Sequence, residues 1–323
     1  MVKRIQNKVA ESRKTLHIVL AYGLFVWIVS GVLQPYYPLE SRGLSNFAWP
    51  QLTCFLLTAV LMMVMNNRYA LIRVYSRAVS CSFILLTCAA CFQFNSLSGG
   101  IVSVCVASSF LLLFQTFQDK QSHGWAFYAF LFIGLASLAF VHIVAYVPLL
   151  WLLMVFQLNS ASWRTMAASV VGLLTPYWFA GGILLCMGNI DLMAEHLQRM
   201  ADWQLTGDYR QLTINQVATL SLIVVFAVTG IVHYWRNNYA DKIRTRVMYN
   251  CFIYTTLFTL AFIAAAPSYY DELTHILIIC VSPLIGHFIA LTHTRLTNIA
   301  FIAGTVVTLL LTALNLWMPS LTF

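Results

Sequence analysis

The stretch from Trp125 to Leu158, WAFYAFLFIGLASLAFVHIVAYVPLLWLLMVFQL, constrains this chain more than any other, because it holds no Asp, Glu, Lys or Arg. A hydrocarbon core about 30 Å thick is crossed by about twenty helical residues rising about 1.5 Å each. The run is therefore too long for one crossing. It is also too apolar for an ordinary soluble helix pair, so its break, expected near Val141-His142, sets the topology of everything that follows.

Composition agrees that lipid is the solvent. Sixty per cent of the 323 residues are hydrophobic, only 9% are charged, and the mean hydropathy is +0.79. Soluble domains carry about a quarter charged residues. Apolar runs recur at 16–33, 51–65, 78–94, 100–117, 125–141, 143–158, 166–187, 214–235, 247–266, 273–291 and 298–318. The expected fold is an all-α polytopic transmembrane bundle of about eleven crossings, forming one transmembrane domain over 1–323 with no soluble domain. Residues 1–15 form a basic cytoplasmic N-terminus, and the run from Leu16 reads as an uncleaved signal anchor.

The formal charge of +8 has a topological explanation rather than a nucleic-acid one. With the N-terminus inside and loops alternating, fifteen of the eighteen Lys and Arg fall inside, leaving Arg42, Arg199 and Arg210 outside. A single crossing at 125–158 would throw the Arg236–Arg246 cluster outside, so the segment must go in and return. Two full spans and a re-entrant hairpin satisfy this equally. The chain is then N-inside and C-outside, and bacterial inner membrane is the expected location.

No Asp, Glu, Lys or Arg lies in the middle of a span, where each would cost about 2.5–3.5 kcal/mol. That speaks against a pump with a buried carboxylate. Pro148, Pro176 and Pro283 are each expected to kink or break a helix. The eight cysteines sit in apolar runs, and Cys81 and Cys88 share a packing face with Ser80 and Thr87.

Candidate chemistry gathers in the outer loops. Between Gln34 and Pro50 stands Glu40, beside Arg42, placed to act as a general base at the lipid surface. The longest outer loop, 188–213, projects as an amphipathic interfacial helix. Leu192, Met193, His196, Leu197, Met200 and Trp203 lie on one arc, with Asp191, Glu195, Gln198 and Asp202 opposite. Asp191, Glu195 and Asp202 are candidate substrate-binding residues for polar headgroups or sugars. Asp271 and Glu272, in the segment Pro267–His275, join them, as does His142 at the hairpin turn. Ser268 and Asp271 have the spacing of a helix cap, and Glu272 with His275 form E-x-x-H, although the further pairs and carboxylates of a di-metal site are missing. The eight histidines show no metal-ligand spacing, so no metal and no cofactor are expected.

Several apolar motifs resemble an uncharacterised family of bacterial inner-membrane proteins. They are Phe132-Ile-Gly-Leu-Ala-Ser-Leu-Ala-Phe140, Trp163-Arg164, Gly172-Leu-Leu-Thr-Pro-Tyr-Trp178 and Leu277-Ile-Ile-Cys-Val-Ser-Pro283. The resemblance implies a polytopic fold and no established activity. Some members are labelled beta-carotene 15,15′-monooxygenase, a chemistry that needs a histidine-ligated iron. The layout is also similar to polytopic glycosyltransferases that use lipid-linked sugars, with a carboxylate just outside the first span where Glu40 stands. That likeness implies an envelope-biogenesis role with membrane lipid or a lipid-linked saccharide as partner. The alternatives are a scaffold subunit that docks a protein partner at the outer face, and a transporter or flippase.

Overall fold

A computed structural model describes residues 5–33, 48–203, 209 and 212–317. Among the described residues the chain is all helix and turn, with no strand. The helices are α1 (Ile5–Glu11), α2 (Arg13–Leu33), α3 (Ala48–Tyr69), α4 (Ala78–Ala89), α5 (Leu97–Leu113), α6 (His123–Ala139) and α7 (Tyr146–Phe156). They continue with α8 (Trp163–Cys186), α9 (Asp191–Ala201), α10 (Ile214–Asn237), α11 (Ile243–Ala265), α12 (Tyr270–Leu291) and α13 (Arg295–Trp317). Each of the eleven apolar runs contains a helix. Eight helical segments are long and apolar enough to cross a membrane, and three are shorter: Ala78–Ala89, His123–Ala139 and Val141–Phe156. These are features of a multi-pass membrane protein.

The connections alternate between two ends of the bundle. At one end the Gln118 N–H donates to the Leu158 carbonyl (2.8 Å), the Arg244 guanidinium reaches the Phe114 carbonyl (3.4 Å), and Arg73 faces Asp241 (3.9 Å). At the other, Gln93 donates to the Asp271 carbonyl (3.4 Å), and the Asn315 amide donates to the Ala89 carbonyl (2.6 Å). Every described Lys and Arg except Arg199 lies toward the first end, called here the basic end.

The hairpin at 123–156 goes out and comes back. The Gln118–Leu158 bond ties its two feet together at the basic end, and Ser162 Oγ donates to the Lys120 carbonyl beside it (2.9 Å). At about 1.5 Å per residue, α6 climbs roughly 25 Å before the chain turns. The turn is the extended residue Phe140 followed by a 3-10 segment, Val141–Ala145. α6 packs closely on α8, where glycine matters: a Cβ on Gly172 would strike the Phe127 backbone, and one on Gly134 the Leu173 carbonyl.

α12 is the axis. Almost all of its apolar length is buried (94%), against 11% for α2, 17% for α8 and 22% for α13. A helix apolar all round must be enclosed on every side, and here α4, α5, α10 and α11 do so. Gly230 of α10 lies against Leu284, and Gly286 of α12 against Val79. The peripheral helices turn large side chains outward: Trp163 (85% exposed), Trp178 (82%) and Trp317 (81%). Lipid is the solvent that suits such a surface, with Trp at helix ends.

Of the kink or break expected at the prolines, the break does not occur. α8 and α12 run unbroken through Pro176 and Pro283, and Pro148 falls in the first turn of α7, where no helical N–H partner is lost. The basic N-terminal segment carries a short helix. α1 docks on the basic end, burying Gln6 and Asn7. The Gln6 amide donates to the Ile289 carbonyl (2.7 Å) and to Thr292 Oγ1 (2.6 Å), and the Asn7 amide donates to the Thr292 carbonyl (3.1 Å).

Candidate functional site

The described candidate residues lie at the end away from most of the basic residues, His142, Asp202, Asp271 and Glu272 around the start of α12 and Asp191 and Glu195 on α9. His142 sits in the hairpin turn and is buried (7% exposed). Its ring stacks on Tyr269 with centroids 4.1 Å apart, and Trp203 meets it edge-on at 5.2 Å. Phe140 and Phe262 complete this aromatic cluster. His142 Nε2 lies 3.1 Å from the Asp202 carbonyl and 3.0 Å from Tyr269 Oη, and Tyr269 Oη donates to the same carbonyl at 3.2 Å. A carbonyl only accepts, so this arrangement suits a ring carrying its proton on Nε2. The hairpin turn thereby clamps the C-terminal end of α9 through its backbone.

α9 lies across the end of α8. Met193, His196 and Met200 turn toward the bundle, with Met193 reaching Gly181 and the His196 ring 6.0 Å from Tyr177. Its acidic face is exposed, as projected. Beneath α9 runs an apolar groove of about 780 Å³, walled by Val171, Leu174 and Trp178 of α8, roofed by Met193, Leu197 and Met200, and bounded at one edge by Val144 of the hairpin turn. His196 Nε2, close to the groove, is buried with no hydrogen-bond partner among the described residues.

Asp271 and Glu272 open α12, where the helix dipole favours negative charge. They lean to different neighbours. Asp271 accepts from the Gln216 amide of α10 (3.2 Å), and Glu272 accepts from Ser98 Oγ of α5 (3.0 Å). α12 begins at Tyr270, and its N-cap residue Tyr269 makes no side-chain cap hydrogen bond. The E-x-x-H pair is a packing device. His275 Nδ1 is 2.9 Å from Ser103 Oγ, and its ring lies over Gly99, where any Cβ would collide with it.

Of the sequence candidates, His142 and Asp202 are brought into contact, the latter through its main chain. Asp271 and Glu272 stand on the same short segment as Tyr269. Asp191 and Glu195 stay on the exposed face of α9, without hydrogen bond or ion pair to another described residue. Glu40 lies outside the described residues. No group of three or more potential metal ligands occurs among the described residues.

Sequence reasoning passed over a second polar assembly, at the basic end. Asp241, in the short α10–α11 connection, is buried and sits 2.9 Å from Nε2 of the fully buried His287 of α12. Arg73 approaches the same carboxylate, Tyr234 and Tyr249 wall the His287 ring, and the His233 ring is 5.3 Å away. Asn237 donates to both the carbonyl and Nδ1 of His233 (3.0 Å each). The two partners are 46 residues apart and share no motif, so no local signal pairs them.

The chain matches no protein-family model, no curated protein and no solved structure. The resemblance to the uncharacterised inner-membrane family rests on its apolar motifs alone.

Proposed function

We propose that this protein acts in envelope biogenesis, engaging an amphiphilic or lipid-linked substrate in the outer leaflet of a bacterial inner membrane. In this reading all eleven apolar segments cross the bilayer, N-inside and C-outside, because the basic end marks the cytoplasmic side. The α9 groove carries the proposal. It is apolar and elongated, lies at the end opposite the basic residues, and has few polar atoms near it, His196 Nε2 among them. Ligand sites commonly combine apolar walls with a few convergent polar groups. A hydrocarbon chain would lie between α8 and α9, with its headgroup toward Asp202, His142 and the start of α12. In the enzymatic form of the reading, a lipid-linked saccharide is the substrate and Glu40 the general base.

Amide exchange on the full-length protein in detergent tests this. Adding a polyprenyl phosphate should slow exchange across 189–203, and Leu174→Trp, which fills the groove, should remove that protection. Unchanged exchange in the wild-type protein would end the proposal. A Glu40→Gln variant present at normal level yet functionally silent in cells would support the enzymatic form, and a wild-type phenotype would remove it. A scaffold role has its own support in the exposed acidic face of α9, and predicts a stoichiometric protein partner retained by that face.

A further inference from the structure

α13 is hydrogen-bonded to the bundle near both ends and touches it in between, where Gly304 lies against the Phe226 ring of α10 and Thr308 and Thr312 are buried. Near the basic end, Asn298 Oδ1 accepts from the Gln6 N–H (3.1 Å). Near the other, Asn315 donates to the Ala89 carbonyl and to Thr219 Oγ1 (3.1 Å). Seventeen residues separate the two asparagines, roughly 25 Å of helix. Over part of that length the facing side chains are small, notably Ala300, Ala303 and Gly304 on α13 and Ala218 and Ser221 on α10, and they leave an apolar crevice of about 580 Å³. Its lining on α10 runs from Ala218 to Thr229, and on α13 from Ala300 to Leu311, each roughly 16 Å of helix. Phe288 and Ile289 of α12 form part of its floor.

The crevice lining holds no charged residue and stops on α10 at Thr229, and the nearest charge along that helix is about 10 Å further on. Continued at 100° per residue, the α10 face carrying Ala218, Val225 and Thr229 leads to Arg236, an exposed residue, with His233 beside that line. His233 packs edge-on against Phe288 at 5.4 Å. Because Asn237 donates to its Nδ1, the neutral His233 ring carries its proton on Nε2. That nitrogen is a buried donor with no partner among the described residues. The same proton argues against a metal ligand at this position. An apolar slot with a guanidinium beyond its end on the same helix face describes a ligand with a hydrocarbon chain and an anionic head.

We infer that the α10–α13 crevice is a binding site for one acyl chain of an anionic phospholipid from the leaflet at the basic end, with its phosphate reaching Arg236 beyond the crevice. Basic pockets between membrane helices recognise lipid headgroups in this way. The site is separate from the α9 groove: it lies between different helices, and it stands whether or not the proposed function does.

The test uses the full-length protein in zwitterionic nanodiscs doped with phospholipids that carry a photoreactive diazirine in the acyl chain. One probe has a phosphatidylglycerol head and the other phosphatidylcholine. Labelled peptides should map to 218–229 and 300–311, with the anionic probe favoured about fivefold, as one Arg near the surface warrants. Arg236→Gln should bring the two probes level, while Arg164→Gln, at the same end on α8, should not. Val225→Trp, which fills the crevice from an already exposed position, should reduce labelling by both. Equal labelling of wild type by the two heads would overturn the headgroup assignment. Labelling as dense on the outward face of α2, or insensitive to Val225→Trp, would show only annular lipid. A fatty acid that displaces the anionic probe as effectively as the phospholipid would assign the crevice to free acids instead.

Discussion

Asp241 and His287 form the most enclosed charged contact described in the molecule, and they tie the α10–α11 connection to the central helix. Replacing Asp241 with Ala would leave the His287 Nε2 proton buried without an acceptor, a loss of about 1–3 kcal/mol. Arg73 is 42% exposed and 3.9 Å away, so Arg73→Ala should cost under about 1 kcal/mol. Thermal unfolding in detergent should rank the two in that order. An Arg73 variant as damaged as the Asp241 variant would mean that the carboxylate is held by the guanidinium instead. At this scale the sequence was partly legible. Composition, and the absence of charge from span centres, follow directly from the cost of charge in lipid, and the candidates Asp202 and His142 do meet, at the end away from most of the basic residues. What they do there was hidden, because Asp202 contributes a carbonyl that every residue has. Asp241 was hidden as well, since its burial depends on how two distant segments pack.

Helix by helix, the apolar runs were readable because each must satisfy its backbone hydrogen bonds internally once water is absent. Pro176 and Pro283 do not break α8 and α12. The amphipathic projection of α9 was sound, and tertiary contact then decided which part of its apolar arc turns inward. The clamp on α9 can be dissected. Tyr269→Phe removes one donor to the Asp202 carbonyl and keeps the ring stack, whereas His142→Ala removes a donor and the stack. Amide exchange over 189–203 should therefore rise from wild type to Tyr269→Phe to His142→Ala, and the reverse order would refute the clamp. The α6–α8 contact makes a sharper demand. Gly172→Leu must displace the Phe127 backbone, at about 1–3 kcal/mol or more. Gly182→Leu on the same helix points into open space and should be tolerated. Comparable recovery of both as monodisperse protein would contradict the close packing.

For the whole molecule, everything turns on the 123–156 hairpin. Because its feet are joined at Gln118–Leu158, α8 starts at the basic end and α9 lies at the other. Charge counting in the sequence required the return, and the hydrogen bonds at the hairpin feet supply its geometry. The orientation across a real membrane follows from the basic residues alone and is open to direct measurement. In a Cys186→Ala background, which removes the exposed native thiol, single cysteines are placed at Gln121, before the hairpin, and at Gln198, on α9. Intact spheroplasts are then treated with a membrane-impermeant maleimide. The account predicts that Gln198→Cys is labelled at once and Gln121→Cys only after permeabilisation. If both are protected until permeabilisation, or both are labelled from outside, the hairpin does not return across the membrane and the arrangement proposed here is wrong.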